Sequence, residues 1–191
     1  MKVRDKALTL VFAGFGGQGV LTAGRIIVNM ALEDGISATW LPAYGFAVRG
    51  GKAYCTVKLC SGEIGSPCLE TIDILVAMNT PSLEFATDMN PGGVLIMNTD
   101  QIKEDSELIP DRDDIRKVYV PCDSIARAAN NPKAANLVSV GSVIKELDGF
   151  RVEAAVTALK DFFEEKGKGK YNEANVAAFM GGYENDGSKR G

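Results

Sequence analysis

The stretch "ALTLVFAGFGGQGVLTAG", residues 7–24, decides how the rest of the chain is read. Its first half is an almost unbroken apolar run, as expected of a strand covered on both faces of a parallel sheet. Its second half contains Gly14-x-Gly16-x-x-Gly19 and then becomes amphipathic, with Val20, Gly24, Ile27, Val28 and Ala31 on one stripe up to Gly35. A buried strand, a glycine turn and a helix in that order are the opening unit of an α/β fold. They are also the spacing of a dinucleotide fingerprint.

The fingerprint asks for an acid about 20 residues on, at the end of the second strand, to hold the ribose hydroxyls. Here that stretch reads Thr39-Trp40-Leu41-Pro42, and Glu33 and Asp34 precede the strand. Three readings stay open. The glycines serve only a tight turn, or they present backbone to a partner or phosphate, or Arg49 after the second strand meets an NADP 2′-phosphate beside Trp40.

Outward from this unit the strand–helix rhythm continues. Ser37–Leu41 reads as a strand halted by Pro42, and Lys52–Cys60 as a half-covered strand from its alternation. Strands are expected at 72–79, 92–98 and 115–121. A short helix with Thr80 as N-cap and Pro81 at its first position lies between the first two. Helices are expected over 123–131, 134–147 and 151–165. The fold class is three-layer α/β/α, a mostly parallel sheet with at least one antiparallel strand. Residues 1–183 form a single domain, and 184–191 a flexible polar tail.

Composition removes much chemistry. The 191-residue chain has no histidine, which excludes Ser-His-Asp and Cys-His hydrolases and His-ligated zinc. Its net charge of −4, with Lys and Arg scattered, argues against nucleic acid as a partner. Cys55, Cys60, Cys68 and Cys122 show neither CxxC nor a bacterial cluster run, and read as reduced thiols of a cytoplasmic protein. No apolar run approaches the roughly 20 residues of a membrane span. The acidic run Asp111, Asp113 and Asp114 reads as a solvated turn, and Lys145 and Glu146 as surface charges.

A second glycine segment, "YGFAVRGG" (44–51), sets Tyr44 and Arg49 on backbone after a strand end, the edge where α/β folds bind ligands. Arg49 beside Gly50 and Gly51 is a bidentate donor suited to phosphate or carboxylate, or a plain surface arginine at a turn.

Taken together, "GFGGQGV", "YGFAVRGG" with "YCTV", "EIGSP", "ANLVSVGSVI" (135–144) and "AFMGG" (178–182) resemble the gamma subunit of the 2-oxoacid:ferredoxin oxidoreductases, over residues 7 to 183. The resemblance implies a non-autonomous subunit of an enzyme that decarboxylates a 2-oxoacid, such as 2-oxoglutarate or pyruvate, to acyl-CoA, carbon dioxide and reduced ferredoxin. Thiamine diphosphate, Mg and 4Fe-4S clusters would sit in partner alpha, beta and delta subunits. Gly14, Gly16, Gly17, Gln18, Gly19, Tyr44, Gly45, Arg49, Gly50 and Gly51 match the family's glycine segments. They would face a partner subunit or a CoA phosphate. Phe46-Ala47 stand where the family commonly has Pro-Glu, so that carboxylate is lost.

Overall fold

The computed structural model describes residues 1–3, 6–44 and 51–188. Six strands form one sheet: β1 (Leu8–Phe15), β2 (Ser37–Tyr44), β3 (Lys52–Cys60), β4 (Ile72–Ala77), β5 (Met89–Asn98) and β6 (Arg116–Val120). The order across the sheet is β2-β3-β1-β4-β5-β6. β1, β4, β5 and β6 run parallel, and β3 lies antiparallel to both β1 and β2. The α/β class and the mixed sheet agree with the reading of the sequence.

Alternation along each strand feeds two cores. Leu10 and Phe12 of β1 face a layer built from α1 (Val20–Glu33), α2 (Cys122–Ala128), α3 (Ala135–Glu146), α4 (Val152–Glu164) and α5 (Asn172–Glu184). Val11 and Ala13 face the other way, onto Leu83 and Ala86 of the 3₁₀ helix Thr80–Asp88 and onto Ile102 and Ile115. The second outer layer is therefore thin, one 3₁₀ helix and the stretch 99–115.

Local expectations failed in instructive places. Pro42 does not stop β2, which runs on to Tyr44. β2 is an edge strand, where a missing N–H costs no ladder bond. β3 is not half-covered: Thr56 and Lys58 are buried as well as Cys55 and Val57, because β3 is inserted between β2 and β1. The cap of the 3₁₀ helix is Asn79 rather than Thr80; its side chain accepts from Ser82 N. The helix α5 was not anticipated. Its buried positions are Asn175, Ala178, Phe179 and Gly182, a face too small and polar to show as an apolar stripe.

α3 is buried nearly all round and crosses α5 at very short range. A Cβ on Gly141 would overlap the Phe179 carbonyl, and one on Gly182 the Val138 carbonyl. The backbones touch there, and Ser142 Oγ donates to the Gly182 carbonyl at 3.0 Å. At the far edge, Tyr119 N of β6 donates to the Gly187 carbonyl at 3.0 Å, and Lys145 Nζ to the Asn185 carbonyl. No helix among the described residues is long and apolar enough to cross a membrane.

Candidate functional site

β1 leads into α1 on one face of the sheet, and its parallel neighbour β4 leads into the 3₁₀ helix on the other. The chain thus leaves the carboxyl ends of two adjacent strands in opposite directions. In open α/β sheets that divergence opens a crevice where ligands bind. The glycine turn lies there.

The turn is built for backbone rather than side-chain display. Gly17 (φ 97°) and Gly19 (φ 75°) hold left-handed conformations that favour glycine. Gly16 and Gly17 are exposed, with nothing near the position of a Cβ. Gly14 is the opposite case: buried at the end of β1, its Cβ would lie 2.7 Å from Gln18 Oε1 and 2.9 Å from Val20 Cγ1. Gly16 N donates to the Gly51 carbonyl at 3.2 Å, so the two glycine segments meet at one sheet edge. Tyr44 ends β2 opposite Ala53. Gly45, Phe46, Ala47, Arg49 and Gly50 lie outside the described residues.

Gln18 points inward. Its Oε1 accepts from Phe15 N at 2.7 Å and from Asn79 Nδ2 at 2.9 Å, and its Nε2 donates to the Met78 carbonyl at 3.2 Å. On the helical side, Asn136 Nδ2 donates to the Gly19 carbonyl at 3.2 Å, joining α3 to the turn. Cys55 Sγ donates to the Val20 carbonyl at 3.4 Å, and burial pushes this thiol up to about 12, so it is inert at neutral pH. Cys122 is likewise raised by burial, with Asp123 and Asp100 adding to the effect.

Gly17, Gln18, Met78, Asp123, Pro132 and Lys133 line a cavity of about 400 Å³ at this edge. Lys133 is exposed at its rim. Asp123 is occupied structurally: its Oδ2 accepts from Asn98 Nδ2 at 2.7 Å and Gln101 Nε2 at 3.3 Å. A larger cavity, about 460 Å³ beyond β5 and β6, presents Glu104, Glu184 and Asp186 and suits no phosphate.

Asn79 and Asn98 were not singled out from sequence, though a signal was there. β4 and β5 both run into Met-Asn-Thr (78–80 and 97–99). Asn79 Oδ1 takes Ser82 N at 3.2 Å and Ser82 Oγ at 2.7 Å; Asn98 Oδ1 takes Asp100 N at 3.2 Å and Cys122 N at 3.1 Å. Each closes the turn after its strand.

The dinucleotide reading loses its geometry. The ribose-binding acid belongs on a parallel strand directly beside β1. Antiparallel β3 occupies that place and moves β2 one strand outward, about 4.8 Å. Trp40 is not at a ribose site; it lies against Gly24 of α1, with the Arg25 guanidinium 5.7 Å from its ring. Asp34, at the far end of α1, pairs with Arg151 at 3.1 Å.

The fold and this edge define an α/β domain with a backbone-lined turn at the switch point and a mixed sheet that is not the dinucleotide-binding one. The chain belongs to the pyruvate ferredoxin/flavodoxin oxidoreductase family, whose sequence pattern matches residues 9–185. It is 36% identical over 174 residues to the ketoisovalerate oxidoreductase subunit VorA of Methanothermobacter thermautotrophicus, covering 90% of this chain and 35% of that protein. It therefore spans about a third of the length of that relative. The 2-oxoglutarate synthase subunit KorC of Methanothermobacter marburgensis is 33% identical over 178 residues, with 90% of this chain and 92% of KorC covered. Among solved structures, the gamma subunit of a keto/oxoacid ferredoxin oxidoreductase from Geobacter sulfurreducens has the same fold. Its TM-score is 0.79 at 24% identity, covering 94% of this chain and 95% of that one. A 2-oxoglutarate:ferredoxin oxidoreductase from Magnetococcus marinus, solved with 2-oxoglutarate, coenzyme A and succinyl-CoA bound, matches over 93% of this chain and 30% of its own, with TM-score 0.78 and 23% identity.

Proposed function

We propose that this chain is the gamma component of a 2-oxoacid:ferredoxin oxidoreductase. It works in a complex that converts a 2-oxoacid to acyl-CoA, carbon dioxide and reduced ferredoxin with thiamine diphosphate. The observation that carries the reading is the end-to-end match to KorC, named as a 2-oxoglutarate synthase subunit. The donor set of the described residues does not fit a metal or cluster: no three His, Cys, Asp or Glu side chains gather. This reading, carried by the family resemblance, places thiamine diphosphate, Mg and 4Fe-4S clusters in the alpha, beta and delta partners, together with the choice among 2-oxoglutarate, pyruvate and ketoisovalerate.

This chain's own part is the switch-point edge. The start of α1, which no side chain among the described residues caps, exposed backbone at Gly16 and Gly17, and the meeting of the two glycine segments favour an anionic group with little side-chain bulk in the way. A CoA phosphate held there by Arg49 is the ligand this reading assigns. An anaerobic pull-down of the tagged chain from its host should recover a thiamine-binding subunit; recovery of the chain alone under gentle conditions would overturn the subunit role. Titrating CoA into that complex should show weaker binding for Arg49→Ala, and equal affinities would remove Arg49 from the site.

A further inference from the structure

We propose that Gln18 is a positioning residue: with Asn79 it clamps the carboxyl ends of β1 and β4 together and so holds the glycine turn in its ligand-competent shape. This rests on the reading that the turn faces CoA. Apart from Gln18, the turn is held at its helical end by Asn136 Nδ2, which donates to the Gly19 carbonyl at 3.2 Å. A Cβ on Gly16 or Gly17 would meet nothing among the described residues, and the turn's backbone closure is Gln18 N to the Phe15 carbonyl at 3.1 Å plus the bond from Gly16 to Gly51. The Gln18 side chain supplies three further bonds, to Phe15 N, Asn79 Nδ2 and the Met78 carbonyl, and the last two lie on the neighbouring strand's end.

The residue type follows from that geometry. One oxygen must accept twice while a nitrogen on the same group donates to a carbonyl, which only an amide can do. Asparagine is a methylene shorter; glutamate keeps both accepted bonds but loses the donated one. Gly14 belongs to the same device, since its missing Cβ leaves room for Gln18 Oε1. The clamp also reaches through the sheet. Asn79 passes from Gln18 to Ser82, in the first turn of the 3₁₀ helix on the opposite face. A turn that looks isolated is tied to both layers.

Amide hydrogen exchange on the full chain tests the clamp without any ligand. In Gln18→Leu the hydrogen-bonded amides of Phe15, Gly16 and Gln18 should exchange about tenfold faster, the equivalent of one lost hydrogen bond, with α3 and α5 unchanged. Gln18→Glu should recover most of the protection, and Asn79→Ala should reproduce Gln18→Leu. In the assembled complex, Gln18→Leu should raise the KM for CoA about tenfold and leave kcat within about twofold. Unchanged exchange in Gln18→Leu overturns the proposal, as does Gln18→Glu behaving like Gln18→Leu. If exchange responds but neither Gln18→Leu nor Arg49→Ala moves the CoA KM, the clamp stands and the CoA reading falls. If Arg49→Ala moves it and Gln18→Leu does not, the positioning role falls.

Discussion

Glycine does opposite jobs in the turn at residues 16–19 and at the α3–α5 crossing. In the turn, no described residue fills the space where a side chain of Gly16 or Gly17 would stand, and Gly17 and Gly19 take left-handed conformations. At the crossing, Gly141 and Gly182 sit in ordinary helical backbone, and the space is already filled by the facing helix's carbonyl groups. One set of glycines frees the main chain to be touched by something outside. The other lets two main chains touch each other. A glycine in a sequence announces a missing side chain, and only its surroundings tell which use is made of the gap.

The sharpest break between the two regions is in stability. Gly182→Ala drives a methyl into the Val138 carbonyl, with backbone on both sides and no flexible side chain to yield. It should destabilise the chain by about 3 kcal/mol or more, read as a drop in the urea midpoint; an unchanged midpoint would mean the helices can separate freely. Gly19→Ala is the intermediate case. It places an alanine at φ 75° against Asn136 Nδ2, 2.7 Å from the new Cβ, and should cost about 2 kcal/mol. A wild-type midpoint there would show that the turn rearranges at no cost.

Alkaline pH asks whether the base of the turn is as dry as the crossing. The Cys55 thiol, bonded to the first turn of α1, is raised to about 12 in the folded chain, against about 8.5 unfolded. Protonated thiol is favoured in the folded state, so stability is complete below about pH 8.5 and is lost as pH rises toward 12. The slope in that window should be about 1.4 kcal/mol per pH unit for this thiol. Cys55→Ser should flatten it in part, because Cys122 is raised as well; a slope indifferent to the substitution would place water at the foot of α1. The smallest effect belongs to Gly16→Ala, whose new Cβ meets no atom of the described residues within 4 Å. The urea midpoint should stay within about 0.5 kcal/mol of wild type, while CoA affinity in the complex falls. A large loss of stability instead would make this glycine structural and erase the contrast.

Much of the fold was legible because burial leaves a periodic trace. Leu8–Phe15, Ile72–Ala77 and the end of β5 are nearly continuous apolar runs, broken by Thr9, Asp73 and Asn98, and α4 buries Ala155, Ala158, Leu159 and Phe162 on one stripe. α5 left no such trace, because a helix packed through Asn175, Ala178 and Gly182 has no stripe of large apolar residues to display. β3 misled for a related reason. Thr56 and Lys58 look like the wet side of a half-covered strand, and become buried in a strand inserted between β2 and β1. Of the candidate site, Gly14, Gly16, Gly17, Gln18 and Gly19 were visible as a motif, but not their division of labour. Asn79 and Asn136 were not visible as partners, since their contacts to Gln18 and Gly19 cross 61 and 117 residues of chain.

By itself the sequence determined the order of strands and helices apart from α5, the absence of histidine chemistry and the motif set that points to the oxidoreductase family. Those are properties of composition and of neighbours along the chain. Only the tertiary structure decided that antiparallel β3 lies beside β1, which removes the ribose site, and that the Gln18 amide ties the ends of β1 and β4 together. Strand order and side-chain direction are set by which distant surfaces pack together. No local periodicity records that choice.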